Sequence, residues 1–229
     1  DKVSNAIFVG ANDGALHAFD AANGQELFAF IPRASVARLK NLASIAYDHE
    51  YFVDGEVIAS QRVTESGNKA LLFALLGRGG KGLLALDVTN PASFGTGQFL
   101  WEYTPDGSTT AAADGDLGFM LGRPALAKLN NGKLGLVAGN GYSSANGRAV
   151  LYVFSINTDG SIDQIRKIDT TIGSDNGLAG VFPVDEDGNG TADVVYAGDL
   201  KGNVWRFDLS SSSPASWAIS YSGSPLFTA

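Results

Sequence analysis

The segment Val194-Val195-Tyr196-Ala197-Gly198-Asp199-Leu200-Lys201-Gly202-Asn203-Val204-Trp205-Arg206-Phe207-Asp208 is an apolar run, a Gly/Asp/Asn turn and a second apolar run. Gly, Asp and Asn tolerate positive φ, and the flanking Val, Tyr, Trp and Phe favour strands, so the segment specifies a β-hairpin. The same order occurs near the start, in Ile7-Phe8-Val9-Gly10-Ala11-Asn12-Asp13-Gly14-Ala15-Leu16-His17-Ala18-Phe19-Asp20. Looser copies begin at Leu71-Leu72-Phe73-Ala74-Leu75-Leu76-Gly77 and Leu134-Gly135-Leu136-Val137-Ala138-Gly139. Recurrence of one supersecondary unit is the signature of a repeat architecture, and hairpins of this kind read as the middle strands of propeller blades.

Working outward, an outer strand is expected after each hairpin, at Glu26 to Ile31, Phe99 to Tyr103, Ile162 to Ile168 and Trp217 to Tyr221. Inner strands are expected near Tyr51 to Val57, Pro124 to Leu129 and Val181 to Val184; the first copy has none, and a strand from beyond Ala229 would complete it. The copies lie roughly 60 residues apart, wider than the ~40–50 typical of propeller repeats, so the blades carry insertions. The longest are Pro32 to Glu50 and Thr104 to Gly118, and the first has helical spacing over Ser35 to Leu42. The expectation is an all-β fold: a β-propeller of mostly four-stranded antiparallel blades, incomplete in this chain, with loop insertions and one short helix. Residues 1–229 read as a single propeller domain or a fragment of one, with blade repeats near 6–31, 50–103, 123–168 and 181–221.

Composition agrees. A hydrophobic content of 45% over 229 residues is enough for a buried core, and 29 glycines without a triplet period fit many short strands joined by tight turns. A formal charge of −8, with 24 acidic against 16 basic residues and no Lys/Arg run, argues against nucleic acid as a partner. The absence of cysteine excludes disulfides and zinc–thiolate chemistry. No stretch approaches the ~18 apolar residues of a membrane span, so no direct membrane insertion is expected. The start Asp1-Lys2-Val3-Ser4-Asn5 does not resemble a signal peptide, so an export signal is expected upstream. The ending Pro225-Leu226-Phe227-Thr228-Ala229 reads as a cut within a longer polypeptide.

Between the inner and middle strands of the fourth copy lies Asp185-Glu186-Asp187-Gly188-Asn189-Gly190-Thr191-Ala192-Asp193, which follows D-x-D-x-N-G-x-x-D. Ca2+ takes six to eight hard oxygens, and such a loop supplies them from alternate positions while its glycine makes the sharp turn. The expected ligands are the side chains of Asp185, Asp187, Asn189 and Asp193 and the main-chain carbonyl of Thr191, with water completing the shell. The twelfth position, where an EF-hand carries its bidentate Glu, is Tyr196 inside a strand, so this is not an EF-hand. A plain Asp/Asn/Gly turn is the competing reading. Against it, the third copy joins the same two strands with only Asn130-Asn131-Gly132-Lys133, and packing this many carboxylates without a cation gains the fold nothing.

Other acidic spots, Asp13-Gly14, Asp54-Gly55, Asp106-Gly107 and Asp114-Gly115-Asp116, read as turns. His17 reads as strand surface and His49 as a structural loop residue, with no Ser or Cys elbow beside either. Gly77-Arg78-Gly79-Gly80-Lys81-Gly82 lacks Walker spacing and reads as a flexible hairpin tip.

Several segments, in order, resemble the C-terminal propeller of the PilY/PilC family of type IV pilus biogenesis and adhesion proteins. They are Val9 to Gly14 with His17 to Asp20, Glu50 to Gly55, Gly79 to Gly82 leading into Ala85 to Val88, Leu117-Gly118 with Gly122-Arg123-Pro124, Gly139 to Tyr142, and Tyr196 to Leu209. The resemblance implies a modified propeller with a nine-residue calcium loop, whose occupancy is linked to the balance of pilus extension and retraction. It places Asp185, Asp187, Asn189, Thr191 and Asp193 in the ligand roles. It also implies export to the pilus tip, outer membrane or cell surface. The implied partners are pilus subunits, a host-cell surface and the remaining part of the same polypeptide. No Arg-Gly-Asp tripeptide occurs, so the resemblance does not extend to direct integrin binding.

Two alternatives compete with this calcium-responsive binding module. The repeats also look like those of quinoprotein propeller enzymes, yet no vicinal cysteines or acid/base constellation accompany them, so no enzyme is expected. An integrin-like propeller with a purely structural calcium loop would repeat that loop in several blades, whereas one copy of four carries it here.

Overall fold

A computed structural model of the chain describes residues 5–61, 64–106 and 113–229. The reading of Asp1 to Ser4, the Gly107 side of the Asp106-Gly107 turn and the middle of the Thr104 to Gly118 insertion lie outside these residues.

Four antiparallel sheets follow one another along the chain, each built from strands that are neighbours in sequence. The first holds β1 (Ala6–Gly10), β2 (Leu16–Asp20) and β3 (Glu26–Phe30). The second holds β4 (Val57–Ala59), β5 (Leu71–Leu75), β6 (Leu83–Asp87) and β7 (Phe99–Tyr103). The third holds β8 (Ala125–Lys128), β9 (Leu134–Gly139), β10 (Val150–Ile156) and β11 (Ile162–Asp169). The fourth holds β12 (Leu178–Val184), β13 (Val194–Asp199), β14 (Asn203–Asp208) and β15 (Ala218–Ile219), with β16 (Phe227–Thr228) also paired to β14.

The apolar runs of β5, β6, β9 and β10, the middle strands of the second and third sheets, are continuous because both faces of those strands are buried. Side chains alternate across a strand, so successive residues feed two different cores. Leu71, Phe73 and Leu75 of β5 join Tyr152 and Phe154 of β10 between the second and third sheets. Leu72 and Ala74 of the same strand join Leu16 of β2 and Val53 between the first and second. Leu151 and Val153 of β10 meet Val195, Trp205 and Phe207 between the third and fourth. Three cores thus hold four sheets face to face, each fully buried Leu or Phe contributing roughly 1.5–3 kcal/mol before entropy is counted. Close approach needs glycine where the sheets touch: a Cβ on Gly139 would lie 2.1 Å from the Ala179 carbonyl oxygen of β12.

The structure moves three expected elements. The Ser35 to Leu42 helix is two short pieces, α1 (Arg33–Val36) and a 3-10 turn over Leu39–Ala43. The buried Glu102 carboxylate starts α1 early by accepting the Arg33 and Ala34 N–H groups (2.9 and 2.8 Å). Between the two pieces Arg38 keeps a helical backbone, and its side chain reaches the Tyr51 and Gly79 carbonyls and covers the Phe52 ring. The strand expected near Tyr51 to Val57 starts only at Val57 and runs to Ala59 as β4, while upstream the Phe52 and Val53 N–H groups are taken by the Asn12 side chain and the Ala11 carbonyl of the β1–β2 turn. The Trp217 to Tyr221 strand stops at Ile219, since Tyr221 and Ser222 turn left-handed (φ 54° and 57°) and β16 takes over the rest of the β14 edge. In the Gly77 to Gly82 tip, Gly77–Gly79 form a 3-10 turn, and buried Gly79 packs on the Phe52 backbone.

Candidate metal centre

The nine-residue loop joins β12 to β13. Its sharp bend falls at Gly190, where φ is +88°, a region that residues with a Cβ rarely enter. The bend aims backbone amides inward. Asp185 accepts from Gly188 (2.7 Å) and Asn189 (3.2 Å) on Oδ1 and from Gly190 (2.7 Å) on Oδ2. The Gly190 amide, helped by those of Gly188 and Asn189, holds the Asp185 carboxyl below the usual carboxylate range. Asp187 accepts from Asn189 N–H (3.0 Å), and Asp193 Oδ2 accepts from Glu186 N–H (2.8 Å).

Carboxylate oxygens of Asp185, Asp187 and Asp193, three of the expected ligand residues, lie within 4.8 Å of one another. Asp185 and Asp187 are exposed and Asp193 is buried. Asn189 stands beside them, its amide donating to Asp187 Oδ2 (3.0 Å) while its Oδ1 accepts the Thr191 N–H (2.7 Å). Glu186 turns away to Arg206 of β14 (2.7 Å). An all-oxygen, carboxylate-rich donor set of this kind suits a hard divalent cation and does not suit a soft metal.

Sequence reasoning passed over Asn130, in the short turn between β8 and β9. Its Nδ2 lies 3.2 Å from Asp193 Oδ1, 3.1 Å from the Ala192 carbonyl and 3.2 Å from the Leu209 carbonyl. Its Oδ1 is 2.8 Å from the Thr191 hydroxyl. A parallel bridge pairs Leu129 with Ala192, whose N–H donates to Lys128 (2.8 Å). The acidic loop of the fourth sheet is therefore docked on a turn of the third.

Compared with known proteins, residues 2–225 match the family described as the PilY1 beta-propeller domain. The chain belongs to the PilY1 family. A type IV pilus biogenesis factor PilY1 homolog of Xylella fastidiosa is 40% identical over 239 aligned residues, covering 97% of this chain and 16% of that protein. A PilY1 of Pseudomonas aeruginosa is 37% identical, covering 100% of this chain and 21% of its own. The crystal structure of the P. aeruginosa PilY1 C-terminal domain superposes with a TM-score of 0.76 at 38% identity, covering 98% of this chain and 46% of that one. The chain thus spans about a fifth or less of the length of these PilY1 relatives.

The other candidate positions of this PilY1-family chain separate in space. His17 is bracketed by Glu26 on Nδ1 (2.6 Å) and Asp13 on Nε2 (2.9 Å), and the Glu26 hydrogen bond, aided by Asp13, raises its pKa. His49 packs edge-on to Tyr51. Asp114, expected as a turn residue, is buried and binds Tyr103, Tyr152 and Lys167. A concavity of about 950 Å³ beside α1 is walled by Phe30, Val36, Phe94 and Phe99, and both oxygens of its Glu102 are already held by backbone amides. None of these positions sets a nucleophile against a base. No helix among the described residues is long and apolar enough to cross a membrane.

Proposed function

We propose that the four sheets are consecutive blades of a β-propeller and that the loop from Asp185 to Asp193 binds Ca2+ for a type IV pilus-associated protein. The observation that carries the metal reading is the convergence of the Asp185, Asp187 and Asp193 carboxylates within 4.8 Å on a loop bent at Gly190. Asn189 and the Thr191 carbonyl are the remaining protein ligands in this reading. Calcium would draw the three carboxylates together and replace their mutual repulsion with attraction. The blade reading is supported by the face-to-face cores between successive sheets and by the family match over residues 2–225.

In this reading residues 1–229 form one propeller unit, or part of one, within a longer exported polypeptide at the pilus tip, outer membrane or cell surface. Its partners are pilus subunits, the rest of its own polypeptide and a host-cell surface. Ion binding pins the hairpin and so alters how the module docks, supporting pilus biogenesis and adherence. Stabilisation by mass action amounts to about 2.7 kcal/mol at a hundredfold excess of calcium over its dissociation constant.

Calorimetric titration of CaCl2 into chelator-stripped protein is expected to give saturable one-site binding that Asp185→Ala abolishes. A folded sample that takes up no calcium would reduce the loop to an acidic turn. Unchanged piliation and adherence in an Asp193→Ala strain would remove the link between the site and pilus function.

A further inference from the structure

We propose that Asn130 is the positioning residue that sets the cation affinity of the loop and carries the effect of the bound ion into the seam between the third and fourth sheets. The inference rests on the calcium reading above. Asp193 is the most buried of the three clustered carboxylates, and its two oxygens are held from different directions. Oδ2 accepts from the loop's own Glu186 amide, whereas Oδ1 accepts from Asn130, 63 residues earlier and in another sheet.

The chemistry of that contact is specific to a carboxamide. Asn130 offers two N–H hydrogens and one acceptor. The hydrogens face the Asp193 carboxylate and the Ala192 and Leu209 carbonyls, and the acceptor takes the Thr191 hydroxyl. A single side chain thus fixes both the C-terminal arm of the loop and the chain leaving β14. Groups that orient a metal-ligating carboxylate in this way are typically worth 10–100-fold in metal affinity. Because coupling is reciprocal, an ion that tightens Asp193 must also tighten the Asn130 contacts and the neighbouring Leu129–Ala192 bridge.

The test combines CaCl2 calorimetry with hydrogen exchange at the Ala192 and Leu209 amides, with and without calcium, on the native chain and on Asn130→Ala. The native chain should bind calcium and gain protection at both amides. Asn130→Ala, with an unchanged circular dichroism spectrum, should bind about tenfold more weakly and lose the calcium-dependent gain at Ala192. A purely structural Asn130 would lower metal-free stability and leave both readouts untouched. If Asn130→Ala does not fold, Asn130→Ser, which keeps a polar turn residue but is too short to reach Asp193, takes its place with the same expectation. Calcium binding by the variant within about twofold of native overturns this inference alone. Absence of binding by the native chain overturns the calcium reading and this inference with it.

Discussion

Asp114, at 5% exposure, accepts hydrogen bonds from the Tyr103 and Tyr152 phenols and from the Lys167 ammonium, which come from β7, β10 and β11. Burial pushes its carboxyl upward, but the hydrogen bonds from Tyr103, Lys167 and Tyr152 outweigh this and hold it below the usual range. Burial and the Asp114 carboxylate raise both tyrosines, which stay neutral donors. A depressed carboxyl stabilises the fold above its unfolded pKa of about 3.9, and that stability is lost as pH falls through the lower folded value. Urea unfolding across the acid range is therefore expected to show stability falling below about pH 4. Asp114→Asn should flatten that fall and cost about 2 kcal/mol at neutral pH, because the buried Tyr103 and Tyr152 phenols lose a charged acceptor, while Lys167, 37% exposed, is screened by solvent and keeps Asp116. Asp114-Gly115-Asp116 reads as a turn in sequence, and nothing local says otherwise, since its partners lie 11, 38 and 53 residues away. Asn130 was hidden for the same reason, with partners 61 to 79 residues distant. The carboxylates of Asp185, Asp187 and Asp193 were legible because one nine-residue loop brings them together through its own backbone.

Among elements, β5, β6, β9 and β10 stand out in the sequence because burial on both faces writes them as unbroken apolar runs. Edge strands carry less of this signal, and their limits depend on partners elsewhere. Phe52 and Val53 look like strand residues, yet their amides serve the first sheet, and the outer edge of β14 is shared by β15 and β16. Where one sheet crosses another, tolerance for added volume is small. Gly139→Ala would drive a methyl into the Ala179 backbone, and thermal unfolding is expected to show a loss of about 1–3 kcal/mol. An unchanged melting temperature would mean that β12 can slide away from β9 at little cost.

At the scale of the whole molecule, three cores between four sheets leave each end of the row with one open face. On the fourth sheet, Phe182 (69% exposed) and Phe227 (60%) lie on the face opposite Trp205 and Phe207, alongside Tyr196 and Val204. On the first, Ile7 and Val9 alternate with the inward Phe8. Arg206, paired to Glu186, sits among the apolar residues on the fourth sheet's face, but exposed aromatic and aliphatic side chains of this kind favour association. The 229-residue chain is accordingly expected to self-associate with rising concentration in light scattering, and Phe182→Ser to weaken that tendency without lowering the melting temperature. The sequence showed the repeat but not which faces stay open, since that depends on how the sheets stack. The row also has a direction in time. In the three cores each sheet packs on its neighbours in sequence, and a chain is made from its N-terminus, so the third sheet's turn can be in place before the acidic loop is synthesised. Under the proposed calcium reading, a loop that leans on Asn130 would hold its ion fully only after two successive sheets have met, so that a bound ion would mark completion.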